Sequence, residues 1–392
     1  MVKNLNNSIL RDGWEIVLLD DICTVGTGGT PSTKFPEYYG DEVRWLKSGD
    51  IKGGRISKYP NKISTKGLEN SSAKIHPKNT VMMAMSGQGK TRGTCGISTE
   101  ESACSQSVAA IICGSRILPN YLQKYLHSMY DRIRNWTGDK DRTGLNLKII
   151  RSFQVILPPL DEQYRIAAIL DKANEIKHAQ NSAFNMRQKL INSTFESLFK
   201  TYFLNEDSFV ELDELVESVR VGYVGPTSKH YRDQGVHYLR TGNVGHGSVI
   251  FDGMKYITQE FHDSQNKSKL KTGGIVISRV IGDEIKCSII PPELDNSNCG
   301  NVVIVTPSSQ MNSIFLCNLI LSHHTQRKLM RRKVGSAQSV VNTKVMKKML
   351  VPKIPIQLQE QFAVIVESIS SLQDPRNLSQ DHSDSLITEM FA

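Results

Sequence analysis

Leu157-Pro158-Pro159-Leu160-Asp161-Glu162-Gln163 leads into a run that, from Leu160 on, contains neither proline nor glycine until past Phe203. Through it the apolar residues step by three and four: Ile166, Ile169, Ala173, Ile176, Ala179, Ala183, Met186, Leu190, then Phe195, Leu198 and Tyr202. Residues at those steps share one face of a helix. The two prolines suit a helix start and bar the helix from reaching further back. About 40 helical residues at ~1.5 Å each make a rod of roughly 60 Å. Ordinary core helices are shorter, so the spacing predicts a spacer or coiled-coil arm over residues 157–203. A connector buried inside one large domain is the plainer alternative.

On either side of this stretch the chain repeats itself at an offset of about 195 residues. Trp14 to Ile22 is echoed by Phe209 to Leu215. Trp45-Leu46-Lys47-Ser48-Gly49-Asp50-Ile51 is echoed by Tyr238-Leu239-Arg240-Thr241-Gly242-Asn243-Val244. Glycine-containing turns follow both, then short β-prone runs at Lys78–Met85 and Lys271–Ser278. Cys104 to Ile112 matches Cys299 to Val305, and an amphipathic helix follows each, around Tyr121–Leu126 and Phe315–Ile320. Glycine-containing polar loops follow, Gly138–Asn146 and Gly335–Asn342, and the last echo sets Leu160-Asp161-Glu162-Gln163 against Leu358-Gln359-Glu360-Gln361. A second helix then carries Phe362, Ile365, Ile369 and Leu372 on one face, and Asp374-Pro375 interrupts it. The expected order is a lobe at 1–156, a helix at 157–203, a lobe at 204–354 and a shorter helix at 355–392. Each lobe mixes short strands with helix, which makes the fold class α+β. If the two helices pack antiparallel, they separate two similar lobes related by a pseudo-two-fold.

The formal net charge is +9 and it is unevenly spread. Residues 1–160 hold 22 basic against 14 acidic residues and residues 204–356 hold 19 against 14. The two helical segments are close to neutral (6 against 5) and acidic (1 against 6). Basic lobes on a neutral frame fit a polyanion held at two places. No run is long and apolar enough to cross a membrane, about 18 residues, and the polar start Met1-Val2-Lys3-Asn4 lacks a signal-peptide core. Seven scattered cysteines with no CxxC spacing predict reduced thiols in a cytoplasm.

The Pro-Pro-Leu-Asp-Glu-Gln start of a long helix, the Trp45–Ile51 motif and the Gly144-Leu145-Asn146 approach resemble the specificity subunits of type I restriction-modification systems. The resemblance covers nearly the whole chain. It departs at the second helix, where Ile356-Gln357-Leu358 stands for the usual Pro-Pro-Leu. It implies two target recognition domains that each read one half of a bipartite, asymmetric site in double-stranded DNA. It implies helices that fix the gap and recruit two copies of a modification (methyltransferase) subunit, with restriction (translocase and nuclease) subunits beyond. S-adenosylmethionine, ATP and magnesium would sit on those partners, leaving this chain without a cofactor, a metal or a catalytic residue of its own. Glu162, Gln163, Glu360 and Gln361 are then the candidate partner contacts.

Motifs for chemistry are incomplete. Ser86-Gly87-Gln88-Gly89-Lys90-Thr91 ends like a phosphate loop, but Ala84 stands where the first glycine belongs. Glu284-Ile285-Lys286 lacks the upstream carboxylate that a nuclease needs, and adjacent His323-His324 point apart on a helix. A self-contained methyltransferase or nuclease therefore wants a motif the sequence does not supply. A tandem RNA-binding protein wants clustered aromatics. DNA reading calls for Lys and Arg on phosphates and for Arg, Lys, Asn, Gln, Ser and Thr on base edges, carried by loops on a rigid scaffold. The candidates are Lys47, Ser48, Lys90, Arg92, Lys140 and Arg142 in the first lobe, and Arg240, Thr241, Asn243, Arg279, Lys286, Ser336 and Gln338 in the second. The basic cluster Arg327-Lys328 and Arg331-Arg332-Lys333 is a further candidate for phosphate.

Overall fold

The structure is a computed structural model that describes residues 11–87, 89–134, 145–279, 284–330 and 341–371. The chain divides into two compact units, with the division between Ala179 and Gln180.

In the first unit a five-stranded sheet has the order Cys23–Thr27, Val108–Cys113, Val81–Ala84, Cys95–Ser98, Arg55–Ile56. Four of these strands pair antiparallel and the edge pair, Arg55–Ile56 on Cys95–Ser98, is parallel. A second sheet has the order Lys62–Ile63, Val43–Leu46, Ser102–Cys104, Ile75–His76. A two-stranded ladder joins Glu15–Leu18 to Gln154–Leu157. The central strands are buried end to end, as a sheet covered on both faces requires. Helix Pro119–Ser128 covers the sheet. Its Tyr121 hydroxyl donates to the Ile156 carbonyl at 2.6 Å and its Tyr125 hydroxyl to that of Gln154 at 3.0 Å, binding the ladder strand to the core.

The second unit repeats this order strand for strand: Val216–Val221, Val302–Pro307, Ile275–Ser278, Cys287–Ile289, His246–Ser248. The companion sheet pairs Lys255–Ile257, Val236–Arg240 and Asn298–Gly300 and adds an edge strand, Tyr231–Arg232. The ladder recurs as Phe209–Glu211 on Leu350–Pro352. Echoed helices follow at Ser313–Leu321 and Thr343–Lys347. The fold is thus α+β, with repeated sheet domains and a long helix.

A glycine explains part of the repeat. A Cβ on Gly28 would lie 1.8 Å from the Cys104 carbonyl oxygen, and one on Gly222 would lie 2.6 Å from Cys299 Sγ. Both lobes press the same strand end against the same cysteine, so only glycine fits there. Burial pushes both thiols up, to about 12.

The long helix runs Leu160–Leu204, 45 residues. It starts three residues later than the expected span because Leu157 belongs to the ladder, opposite Glu15. Its buried face also differs from the expected stripe. Gln163, Ile166, Ala167 and Leu170 are buried at one end and Ile191, Phe195 and Phe199 at the other. Ile169, Ile176, Met186, Leu190 and Leu198 are exposed. Ile166 and Leu170 pack into the first unit's core, and Ile191, Phe195 and Phe199 into that of the second unit. There Phe195, Phe199, Phe315 and Phe362 form one aromatic cluster, with ring centroids between 5.0 and 6.4 Å apart. Phe362 comes from the closing helix, described over Ile356–Ser371. Leu372 and the expected break at Asp374-Pro375 lie outside the described residues.

Candidate nucleic-acid interface

The echoed motifs become one device built twice. In the first lobe strand Val43–Leu46 runs into a single 3₁₀ turn, Ser48–Asp50. In the second, Val236–Arg240 runs into Thr241–Asn243. The last residue of each turn folds back on its start. Asp50 Oδ2 accepts from the Lys47 amide at 2.8 Å, and Asn243 Oδ1 accepts from the Arg240 amide at 3.1 Å. A short polar side chain closing a turn in this way fixes the backbone that carries the basic residue. Lys47 is exposed, with its ammonium 5.1 Å from the Trp45 ring centroid. The Arg240 guanidinium lies 5.9 Å from that of Tyr231 and donates to the Gly253 carbonyl at 2.8 Å. Each cation is held over an aromatic face, which limits the entropy lost when it meets an anion.

Two sequence candidates turn out to be internal. Asn243 is 2% exposed, and its amide donates to the carbonyls of Ile250 and Asp252 at 3.0 and 3.2 Å. Ser48 is 7% exposed and donates to the Ser107 carbonyl at 2.7 Å. Both shape the turn, and neither presents a free edge to a base. Thr241 is half-buried and donates to the Asn301 carbonyl at 3.0 Å.

Around these turns the lobes differ. The first carries a serine group: Ser48 Oγ lies 3.1 Å from Ser107 Oγ and 3.4 Å from Ser86 Oγ, and Ser105 and Ser107 hydroxyls are 2.8 Å apart. The second carries Arg279, which donates to Asn301 Oδ1 at 3.0 Å. Asn301, in the left-handed region at φ 56°, thereby joins Arg279 to Thr241. The Nε groups of Arg240 and Arg279 are buried with no partner among the described residues. Asn301 was not among the sequence candidates, although an asparagine after Gly300, in a loop one residue shorter than its counterpart, is a signal for that conformation.

Lys90 is exposed on a loop whose carbonyl accepts from the Tyr130 hydroxyl at 2.8 Å, and Arg92 donates to the Arg134 carbonyl at 2.9 Å. Lys286 is exposed on the second lobe. Its neighbour Glu284 pairs with His246 at 2.7 Å, and no group of side chains able to hold a metal occurs among the described residues. Lys328 sits 4.6 Å over the Phe209 ring. Lys140, Arg142, Ser336, Gln338 and Arg331-Arg332-Lys333 lie outside the described residues.

At the helix starts one expectation is corrected. Gln163 is fully buried: its Oε1 accepts from the Leu118 amide at 2.9 Å and its Nε2 donates to the carbonyls of Arg116 and Pro158. The residue with the same bonds in the second copy is Gln359, not Gln361. The structural echo of Leu160-Asp161-Glu162-Gln163 is therefore Ile356-Gln357-Leu358-Gln359, and Pro355 stands where Pro159 does. A buried amide with its donors engaged cannot face a partner protein. Glu162 is half-buried and pairs with Arg165, while Glu360 and Gln361 are exposed.

A strand-to-turn platform is thus repeated on two like sheet domains, and a long helix follows the first of them. Known proteins share features of this chain. Residues 11–183 match the family profile described as the type I restriction modification DNA specificity domain. The chain is 22% identical over 390 residues to the type I restriction enzyme MjaVIII specificity subunit of Methanocaldococcus jannaschii, covering 94% of this chain and 89% of that one. It is 25% identical over 218 residues to the MjaIX specificity subunit of the same organism, covering 54% and 49%. The crystal structure of the type I restriction-modification S subunit from M. genitalium has the same fold, with a TM-score of 0.56, 15% identity and 98% and 95% coverage. No described helix is long and apolar enough to cross a membrane.

Proposed function

We propose that this chain reads a bipartite, asymmetric site in double-stranded DNA, one half per lobe, and brings two modification subunits and their restriction subunits to it. The observation that carries this reading is the platform built twice. The two turns share backbone, capping bond and basic residue, while the groups around them differ: serines in one lobe, Arg279 and Asn301 in the other. One scaffold with two side-chain sets suits two unlike half-sites. The lobes carry the net positive charge that phosphate contacts need. The exposed apolar residues Ile176, Met186 and Leu190 offer the long helix a surface for modification subunits. Methyl transfer with S-adenosylmethionine, and ATP- and magnesium-dependent translocation and cleavage, would belong to those partners in the cytoplasm, this chain supplying the address.

Methylation mapping in cells that hold the partner methyltransferase tests this. A two-part adenine motif should vanish when the chain is deleted. Exchanging residues 1–156 for those of another specificity subunit should change one half of the motif. A change in both halves, or in neither, rejects the assignment of one lobe to each half-site.

A further inference from the structure

The same glutamine locks each helix to its own lobe, and it does so through backbone alone. Gln163 and Gln359 are each the fourth residue of their helix and are 0% and 1% exposed. Gln163 Oε1 accepts from the Leu118 amide at 2.9 Å, and Gln359 Oε1 accepts from that of Asn312 at 2.9 Å. Gln163 Nε2 donates to the carbonyls of Arg116 at 2.9 Å and Pro158 at 2.8 Å; Gln359 Nε2 donates to those of Gln310 at 3.1 Å and Ile354 at 2.8 Å. Leu118 and Asn312 are the residues that cap helices Pro119–Ser128 and Ser313–Leu321. One amide therefore ties three segments together: the helix, the chain leading into it, and the start of the lobe's own helix. The side chains it passes differ completely, Arg116-Ile117-Leu118 against Gln310-Met311-Asn312. Because every bond goes to main chain, the joint does not depend on the lobe's sequence.

We infer that Gln163 and Gln359 are positioning residues that fix the direction in which each helix leaves its lobe, and so set which gap between half-sites is accepted. This rests on the reading above, in which two lobes on a helical frame read two half-sites. A buried amide bonded at both ends permits little pivoting, whereas an apolar group of the same size permits more. The joint tolerates exchange of lobe sequences while preserving the geometry that links them.

The test uses Gln163→Met and Gln359→Met, each nearly isosteric and unable to make the bonds. Tyr121→Phe is the control: it removes a buried hydrogen bond in the first lobe, to the Ile156 carbonyl, and leaves the glutamine intact. Methylation is mapped genome-wide with the partner methyltransferase present. Each glutamine variant should keep both half-site sequences and raise methylation at sites whose gap differs by one base pair at least tenfold, with Tyr121→Phe unchanged. Unaltered gap selectivity in both variants overturns the inference, and so does an equal shift in Tyr121→Phe. Insolubility of both glutamine variants where Tyr121→Phe is soluble also overturns it, making them folding determinants. If the wild-type chain directs methylation to no two-part site, the underlying reading fails instead.

Discussion

At the scale of single residues, the echoed motif separates into parts that hold the turn and parts left to meet DNA. Asn243 makes three bonds from a buried position. Asn243→Ala should cost about 2–3 kcal/mol, measured by urea denaturation, because it strands a backbone amide and two carbonyls. Arg279→Ala should leave stability nearly unchanged and instead relax base preference in one half-site by roughly 1–3 kcal/mol, read from methylation rates on substituted sites. Equal stability losses in the two variants would make Arg279 another turn-holder. His76 gives a pH signature. Burial, then the nearby Lys74 charge, holds its pKa below the usual histidine value, and its Nε2 has no hydrogen-bond partner among the described residues. The unfolded chain thus takes up a proton at a higher pH than the folded one. Stability is complete above about pH 6.5, falls as the pH drops toward the lower folded value, and levels off beneath it. His76→Gln should flatten that part of a melting-temperature profile between pH 7 and 5. An unchanged slope would remove His76 as its source.

At the scale of elements, the repeat was legible because strand ends and turns kept their residue types. Trp45-Leu46-Lys47 and Tyr238-Leu239-Arg240 both alternate into a 3₁₀ turn closed by Asp or Asn. The helix starts were harder to align. Leu358-Gln359-Glu360-Gln361 looks like Leu160-Asp161-Glu162-Gln163, yet the burial of Gln359 sets the register two residues earlier. Hydrogen bonds to main chain leave no trace in the partner's sequence, so this joint could not be read from residue types. The helix stripe also misled: an apolar step of three or four residues finds a face, but the face that meets a lobe is chosen by what the lobe presents. Phe195 and Phe199 are held by Phe315 and Phe362. Phe199→Ala should cost about 3–5 kcal/mol and unfold the second lobe first, seen as early loss of hydrogen-exchange protection in residues 209–354. Uniform loss of protection in both lobes would refute that local assignment.

At the scale of the whole molecule, charge and sequence reading should separate experimentally. The excess of basic residues lies on the lobes, 22 against 14 in residues 1–160 and 19 against 14 in residues 204–356, while the side chains that differ between the lobes lie at their turns. Phosphate contacts release counterions, so the logarithm of affinity should fall linearly with the logarithm of salt, with a slope of about −0.9 per phosphate neutralised. Scrambling one half-site removes base contacts and leaves most phosphate contacts. Affinity should then drop by about 1–3 kcal/mol for each altered base pair, with a nearly constant salt slope. Lys47→Ala should do the converse. Its ammonium is exposed above Trp45, a posture suited to a phosphate, so the slope should shrink by about one contact while the preferred sequence stays the same. Titrating labelled duplexes into the assembled methyltransferase complex at several salt concentrations measures both. If Lys47→Ala alters base preference and leaves the slope intact, Lys47 touches a base, and the first lobe's reading surface reaches out to the turn itself.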